Sequence, residues 1–212
     1  MKCIFWDWNG TLINDAVLSL KTLNRMLSKR GLGEITLDYF RTLEHTPLYS
    51  LFETLFGMER KDFDTYEKEY TLIYNSLSPE IRLNDGAREK LEEYKNQGIR
   101  QIILTSTWAS SVEDFTARLG VRDYFEEILG AKALEEGNKT GRAKRFMETN
   151  GIGKEDIVLI GDSVHDVEVA KELGIETFLV SSGYQAKDIL LEKTRCMDKV
   201  KVFDSLGEIN IL

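Results

Sequence analysis

The sequence has few of the residues that form covalent frameworks or mark linkers. Of 212 residues, two are cysteine, two are proline and two are histidine. The cysteines, Cys3 and Cys196, lie near opposite ends of the chain, so we expect reduced thiols and a cytoplasmic location. Composition marks no linker, and this length fits one domain or one domain that carries an insertion.

The chain also lacks an excess of basic residues and a long apolar run, which are the features that bind a protein to nucleic acids or membranes. It has 28 basic against 36 acidic residues, a formal net charge of −8, whereas phosphate backbones and anionic lipids attract a basic surface. No stretch approaches the ~20 apolar residues of a membrane span. The first acidic residue, Asp7, comes too early for a signal-peptide core. We therefore expect neither a nucleic-acid nor a membrane partner.

The first apolar run is the most informative stretch. The residues Cys, Ile, Phe and Trp at positions 3–6 lead directly into Asp7 and a turn based on Asn9-Gly10. A short continuous apolar run before a turn indicates a buried strand of a parallel sheet. Open α/β sheets bind ligands at the carboxyl ends of their strands, which makes Asp7 a candidate nucleophile or metal ligand. The alternative is that Asp7 and Asn9 only form a turn.

Residues 14–81 show helical periodicity and no convincing strand. We predict helices that begin near Asn14 or Asp15 as the cap, near Thr36, at Pro47 and near Arg60. Several amphipathic helices in succession indicate a helical bundle. This bundle follows the first strand directly, where a crossover connection of ordinary length is expected.

From residue 82 onward, strand-like and helical patterns alternate. Strand-like runs at 99–105, 127–129, 156–160 and 177–180 are separated by amphipathic segments. This alternation predicts an α/β fold with a doubly wound, mostly parallel five-stranded (Rossmann-like) sheet. We assign residues 1–13 and 82–212 to the core and residues 14–81 to an inserted α-helical cap domain.

Four short motifs coincide with predicted strand ends or follow them: Asp7-x-Asn9-Gly10-Thr11, Thr105, Lys139 and Gly161-Asp162-Ser163-x-x-Asp166. In type, order and position relative to the cap, they resemble the four motifs of the haloacid dehalogenase-like superfamily of phosphohydrolases. The resemblance covers nearly the whole chain. It implies Mg²⁺-dependent hydrolysis of a small phosphorylated metabolite, similar to phosphoglycolate phosphatases, through an aspartyl-phosphate at Asp7.

The chemistry of these residue types agrees with that expectation. A carboxylate nucleophile divides phosphoryl transfer into two easier steps, and Mg²⁺ prefers carboxylate and phosphate oxygens. Thr105 offers a hydroxyl donor to the phosphoryl group, and a lysine supplies positive charge against the developing negative charge. That lysine is Lys139, with Lys144 as the alternative. The expected metal ligands are Asp7, the backbone carbonyl of Asn9, Asp162 and Asp166.

Further residues are expected to contact the phosphate or the rest of the substrate. Backbone N–H groups in the turn after Asp7 and at the end of the second strand are suited to phosphate oxygens. His45 lies in the cap loop before the helix that starts with proline, and it is either a substrate contact or an exposed residue at a helix start. The expected binding residues are Trp8, Gly10, Thr11, Ser106 and His45.

The chain departs from the resembled family at Asn9, where the phosphatases have an aspartate. The asparagine carbonyl can still bind Mg²⁺, but its amide has no proton to give to the leaving oxygen. General acid–base catalysis is worth ~10²–10⁴-fold. Three alternatives remain open: a substrate with a good leaving group, an acid from the cap (His45 or Glu44), or a catalytically weak phosphate-binding or regulatory protein.

Two other branches of the resembled family also lack that aspartate. The branch that cleaves haloacids needs no metal, and the presence of Asp162 and Asp166 argues against it. The branch that cleaves carbon–phosphorus bonds uses a cap lysine that forms an imine. Here Lys21, Lys29 and Lys61 are interpreted as solvated helix residues, so no such lysine is identified.

Overall fold

The protein is built on one parallel sheet of six strands. The computed structural model describes residues 2–132 and 138–211, and within them the strand order is β3-β2-β1-β4-β5-β6 with every neighbouring pair parallel. β1 is central, and the chain builds outward from it in both directions. Its carboxyl end therefore lies at the topological switch point, where such sheets bind ligands. The strands are β1 (Cys3–Trp6), β2 (Arg100–Trp108), β3 (Glu127–Ala131), β4 (Ile157–Gly161), β5 (Glu176–Val180) and β6 (Val200–Phe203).

The expected doubly wound α/β class is confirmed, but the predicted count of five strands is wrong. The sixth, β6, lies at the edge of the sheet, where its side chains are half-buried or exposed. A short, partly solvated edge strand lacks the continuous apolar run that identifies a central one. β2 also extends three residues beyond its predicted end at Thr105, and its pairing with β3 shifts register between Leu104 and Trp108.

Four helices follow β1 directly, as the periodicity predicts, before a fifth leads into β2 and the ordinary alternation of helix and strand resumes. Their apolar faces pack on one another around Leu23, Phe40 and Phe52, in a cluster distinct from those against the sheet. The third helix begins one residue later than predicted, because Pro47 has an extended backbone and precedes it. The four are α1 (Ala16–Lys29), α2 (Leu37–Thr42), α3 (Leu48–Phe56) and α4 (Phe63–Leu77).

The remaining helices cover the sheet. Side chains of β1 alternate between the two faces: Ile4 and Trp6 join the cluster that includes α5 and α6, whereas Cys3 and Phe5 join the one that includes α7 and α8. No described helix has the length and apolar character that crossing a membrane demands. These helices are α5 (Ala87–Asn96), α6 (Ala109–Arg118), α7 (Lys139–Asn150), α8 (Val164–Leu173) and α9 (Lys187–Thr194).

The two connections between the sheet and α1–α4 run side by side. The Asn14 N–H donates to the Arg82 carbonyl at 2.9 Å, and the Asn84 N–H donates to the Leu12 carbonyl at 2.9 Å. The Asn84 side chain also donates to the carbonyls of Gly10 and Thr11, at 2.7 and 2.8 Å. Both ends of the helical segment are therefore held next to the turn that follows β1.

Candidate active site

Three carboxylates and one ammonium group meet at the carboxyl ends of β1 and β4. Asp7 follows β1, Asp162 follows β4, and Asp166 lies in the first turn of α8; one oxygen of each lies within 4.8 Å of the others. Lys139, the first residue of α7, donates to Asp7 Oδ1 at 2.5 Å and to Asp166 Oδ1 at 2.6 Å. All four residues are at most 9% exposed. The adjacency of parallel strand ends brings together residues that are up to 159 positions apart.

This cluster has more negative than positive charge in a buried place. Burial raises the pKa of Asp7 to about 7, although Lys139 opposes the shift. Burial and the repulsion of the neighbouring carboxylates raise the pKa of Asp162 well above its usual range. Burial would also raise the pKa of Asp166, but Lys139 outweighs it and the net shift is downward. Excess negative charge on oxygen donors fits a hard divalent cation such as Mg²⁺.

Asp166 has a second role at the start of α8. Its Oδ2 accepts from the Ser163 N–H at 3.1 Å, and the Ser163 side chain accepts from the Asp166 N–H, which together form a capping box. The same Oδ2 also accepts from the Ser163 hydroxyl at 2.7 Å. Its Oδ1 meanwhile holds Lys139. Helix capping and orientation of the site lysine are therefore performed by the same side chain.

Asp162 is held by the turn after β1 and by the loop after β5. Its carboxylate accepts from the Thr11 hydroxyl at 3.0 Å and from the Tyr184 N–H at 2.6 Å. A Cβ atom at Gly10 or at Gly183 would overlap the same carboxylate, so both positions require glycine. Thr11 is fully buried and does not line the cavity described below. Its hydroxyl therefore supports Asp162, and we assign it no direct contact with a substrate.

Asn9 is fully engaged by protein groups. Its Nδ2 donates to Asp15 Oδ2 at 2.7 Å, and its Oδ1 accepts from the Thr107 hydroxyl at 2.6 Å. Donor and acceptor each have a complementary partner, so an amide fits this position better than a carboxylate. The Gly10 N–H, expected to donate to phosphate, donates to Asp15 Oδ1 at 2.8 Å in the described arrangement.

Asp15 is the functional-site residue that the sequence analysis missed. It is the residue before α1, as expected, but its carboxylate makes no helix-capping bond. Instead it is completely buried and also accepts from the hydroxyls of Tyr74, at 2.7 Å, and Tyr184, at 3.0 Å. These donors come from the turn after β1, from α4 and from the loop after β5. The one sequence signal was an acidic residue shortly after the first motif.

A cavity of about 460 Å³ opens above the carboxylates, between the sheet edge and α1–α4. The lining on the sheet side includes Asp7, Trp8, Asn9, Thr105, Lys139, Asp162 and Asp166. The lining on the helical side comes from α1, α3, α4 and His45. A cavity of about 610 Å³ between β3 and α7 contains none of the clustered carboxylates. We therefore take the smaller cavity as the candidate active site.

Of the predicted residues at the end of β2 and in α7, Thr105, Ser106 and Lys139 lie at the cavity, whereas Lys144 does not. Thr105 is buried; its hydroxyl oxygen accepts from the Thr107 N–H at 3.1 Å, which leaves its proton for another acceptor. Ser106 is exposed and lines the cavity. The structure brings Lys139 into the site, whereas Lys144 pairs with a glutamate on the surface.

His45 lines the cavity and packs against the rings of Phe40 and Tyr184, with centroids 4.4 and 5.0 Å away. Both of its ring nitrogens are buried and lack a hydrogen-bond partner in the described part of the chain, as does Trp8 Nε1. Burial lowers the pKa of His45 to about 4, so its ring is neutral near pH 7. Glu44 is exposed and does not line the cavity. The hypothesis of an acid from Glu44 is therefore not supported.

The cap lysines considered for an imine lie on the surface. Lys21, Lys29 and Lys61 form ion pairs with glutamates, and their side chains are 54%, 71% and 71% exposed. None of them lines the cavity.

Known proteins are similar to this chain over nearly its whole length. The chain is 27% identical to a phosphoglycolate phosphatase of Nitrosococcus oceani, over 100% of this chain and 96% of that one, and 25% identical to one of Aquifex aeolicus, over 97% and 98%. A haloacid dehalogenase-like hydrolase structure from Streptococcus pneumoniae superposes with a TM-score of 0.80 at 22% identity, covering 95% of this chain and 93% of that one. The family described as haloacid dehalogenase-like hydrolase matches residues 4–180. The chain therefore belongs to the haloacid dehalogenase-like hydrolases.

Proposed function

We propose that this hydrolase is a Mg²⁺-dependent phosphatase that acts on a small phosphorylated metabolite through an aspartyl-phosphate at Asp7. The observation that carries the proposal is the buried cluster of Asp7, Asp162, Asp166 and Lys139 below a cavity of about 460 Å³. The names of the curated relatives at 24–27% identity support the same reaction class. We expect the reaction to take place in the cytoplasm.

The chemistry has two displacements at phosphorus. A carboxylate oxygen of Asp7 attacks, the ester P–O bond breaks, and the organic group leaves as an oxyanion or takes a proton from water. Water then attacks the phosphorus of the acyl phosphate, which releases inorganic phosphate and restores the carboxylate. The groups that can donate to the phosphoryl oxygens are the hydroxyls of Thr105 and Ser106 and the Lys139 ammonium.

Mg²⁺ would be held by Asp7, Asp162 and the Asn9 carbonyl, and when bound it would neutralise charge between the nucleophile and the phosphate. Asp166 would keep Lys139 in place beside Asp7, since it holds that lysine with Oδ1 while Oδ2 caps α8.

Residues 14–81 form the cap domain in this proposal, and the core comprises residues 1–13 and 82–212. The paired connections at 12–14 and 82–84 are the proposed hinge, because they are the two places where the chain passes between the helices and the sheet. Closure of the cap would exclude water from the acyl phosphate and would bring His45 against the substrate.

A second candidate is a phosphate-binding or regulatory protein with little turnover. The engagement of Asn9 by Asp15 and Thr107 favours it, because the position that would carry the acid is occupied by an amide in a closed hydrogen-bond arrangement.

The two candidates are separated by turnover of acetyl phosphate and p-nitrophenyl phosphate with Mg²⁺, together with mass spectrometry of the quenched enzyme. The phosphatase proposal expects a phosphoryl adduct on Asp7 and loss of turnover in Asp7→Asn, with Asp64→Asn as a control on the surface of α4. Binding of phosphate without product from either compound would support the second candidate. Full activity of Asp7→Asn would overturn the assigned nucleophile.

A further inference from the structure

The helical side of the cavity has an acidic residue in its lining and, among the described residues, no lysine or arginine. Among the described residues, Lys139 is the one lysine or arginine in its lining, and the carboxylates of Asp7 and Asp166 already hold its ammonium group. Residues 133–137 contain no lysine or arginine in sequence. The charged residue that α4 adds to the lining is Glu67. A substrate carboxylate that points toward the cap would therefore meet negative charge and no cation, and burying an unpaired carboxylate is costly.

The two histidines of the lining do not change this balance. His45 is neutral near pH 7, because burial lowers its pKa to about 4. His165 lies on the sheet side, in the first turn of α8, with its Nδ1 3.6 Å from Glu168. On the helical side, therefore, no histidine places a fixed positive charge against the organic part of a substrate.

The same wall is rich in neutral hydrogen-bonding groups. The neutral ring of His45 has one donor and one acceptor nitrogen; both are buried in this arrangement, although the residue lines the cavity. The Tyr74 hydroxyl donates its proton to Asp15, and its oxygen, 3.5 Å from the Asn9 Nδ2 donor, has a further lone pair for a ligand. A hydroxyl group both donates and accepts, whereas a carboxylate only accepts. The neutral hydroxyl and amide side chains of the helical lining are Ser19, Thr46, Tyr70, Thr71, Tyr74 and Asn75.

We propose that the organic group of the substrate is uncharged and bears hydroxyl groups, as in a polyol or sugar phosphate, and that the cavity disfavours an organic group with a carboxylate. This inference rests on the proposed phosphatase function and narrows its substrate. The proposed substrate differs from phosphoglycolate, which the names of the curated relatives suggest. Phosphoglycolate carries a carboxylate beside the phosphate ester.

The test uses two small esters that differ in this one group, 2-hydroxyethyl phosphate and phosphoglycolate. For each, kcat/KM is measured with Mg²⁺, and its inhibition constant is measured against acetyl phosphate turnover. We expect the neutral ester to be favoured at least about 10-fold in kcat/KM or in inhibition. Equal values or the reverse order would overturn the proposal.

A charge variant tests whether the cavity wall causes the preference. Thr71 lines the cavity from α4 and is exposed enough to accept a longer side chain. Thr71→Arg should shift the ratio toward phosphoglycolate by about 10-fold. The matched control is Leu72→Arg, which adds the same charge at the next residue, 73% exposed and outside the cavity. An equal shift in both variants would show that net charge, not the wall, sets the preference, and would overturn the proposal.

The result is distinguishable from failure of the phosphatase function. If neither acetyl phosphate nor p-nitrophenyl phosphate is hydrolysed, the proposed function fails. The affinities of 2-hydroxyethyl phosphate and phosphoglycolate are then measured by calorimetry, and we still expect the neutral ester to bind more tightly. If both activated compounds are hydrolysed but phosphoglycolate is preferred over 2-hydroxyethyl phosphate, the function stands and the substrate inference alone fails.

Discussion

Replacing Asn9 with aspartate is the perturbation that most directly tests the missing acid. In Asn9→Asp, a carboxylate oxygen would occupy the place of Nδ2, which lies 2.7 Å from Asp15 Oδ2. Two ionised carboxylates about 3 Å apart repel by about 5 kcal/mol at an effective dielectric constant of ~20. Since one pKa unit is about 1.36 kcal/mol, the pair would keep one shared proton through neutral pH.

That shared proton is a new titratable acid in the cavity lining. General acid catalysis spans ~10²–10⁴-fold, and we expect a gain at or below the lower end of this range because Asp15 competes for the proton. The predicted gain in kcat for an alkyl phosphate is about 10- to 100-fold, which corresponds to about 1.4–2.8 kcal/mol of barrier. An aryl phosphate, whose leaving oxygen needs no proton, should change by less than about 2-fold.

The assay is the ratio of alkyl to aryl phosphate turnover in the wild type and in Asn9→Asp. The matched control is the exchange variant Asn9→Asp/Asp15→Asn, which restores one amide and one carboxylate across the same contact. It should raise the ratio, and its free energy of unfolding should lie closer to that of the wild type than the value for Asn9→Asp does, because the contact between positions 9 and 15 again joins a donor and an acceptor. Every preparation needs a mass check, because the Asn9-Gly10 sequence can deamidate and mimic the variant.

One result would refute this reasoning. If the alkyl-to-aryl ratio stays unchanged in both variants while fold and Mg²⁺ binding are intact, the amide at Asn9 does not limit protonation of the leaving group.

Three further predictions address the metal, pH and cap movement. Asp162→Asn should weaken Mg²⁺ binding at least about 10-fold by calorimetry, and excess chelator should abolish turnover until Mg²⁺ is restored; unchanged activity in chelator would contradict the metal site. Unfolded His45 gains a proton as pH falls below its ordinary pKa of 6.5, whereas the folded residue stays neutral down to about 4. The stability that depends on the neutral ring is therefore fully present above pH 6.5 and is lost as pH falls to about 4. At about 1.36 kcal/mol per pH unit, this loss reaches about 3 kcal/mol. Urea unfolding of His45→Phe at pH 7 and pH 4.5 should show a smaller acid loss than the wild type, and an equal loss would contradict the assignment. Phosphate with Mg²⁺ should slow amide exchange in α3, α4 and residues 12–14, and unchanged exchange at saturation would contradict cap closure.

Sequence alone determined the parts of this protein that depend on local pattern. The apolar run of β1 and the strand–helix alternation after residue 82 predicted the doubly wound sheet, because burial on both faces of a strand and on one face of a helix imposes different periods. The position of Asp7 at the end of β1 and of Asp162 at the end of β4 predicted their meeting, because parallel strands end at one edge.

Only the tertiary structure decided how the side chains at that edge are partnered. Local pattern does not distinguish Lys139 from Lys144; the contact with Asp7, 132 residues away, does. Nor does it indicate that Asp15 is contacted by Tyr184, 169 residues later, instead of capping α1. These contacts depend on which groups from distant segments face one buried space, where every polar group needs a partner. Periodicity determines which face of an element is buried, and the packing of distant segments determines what each buried polar group meets there.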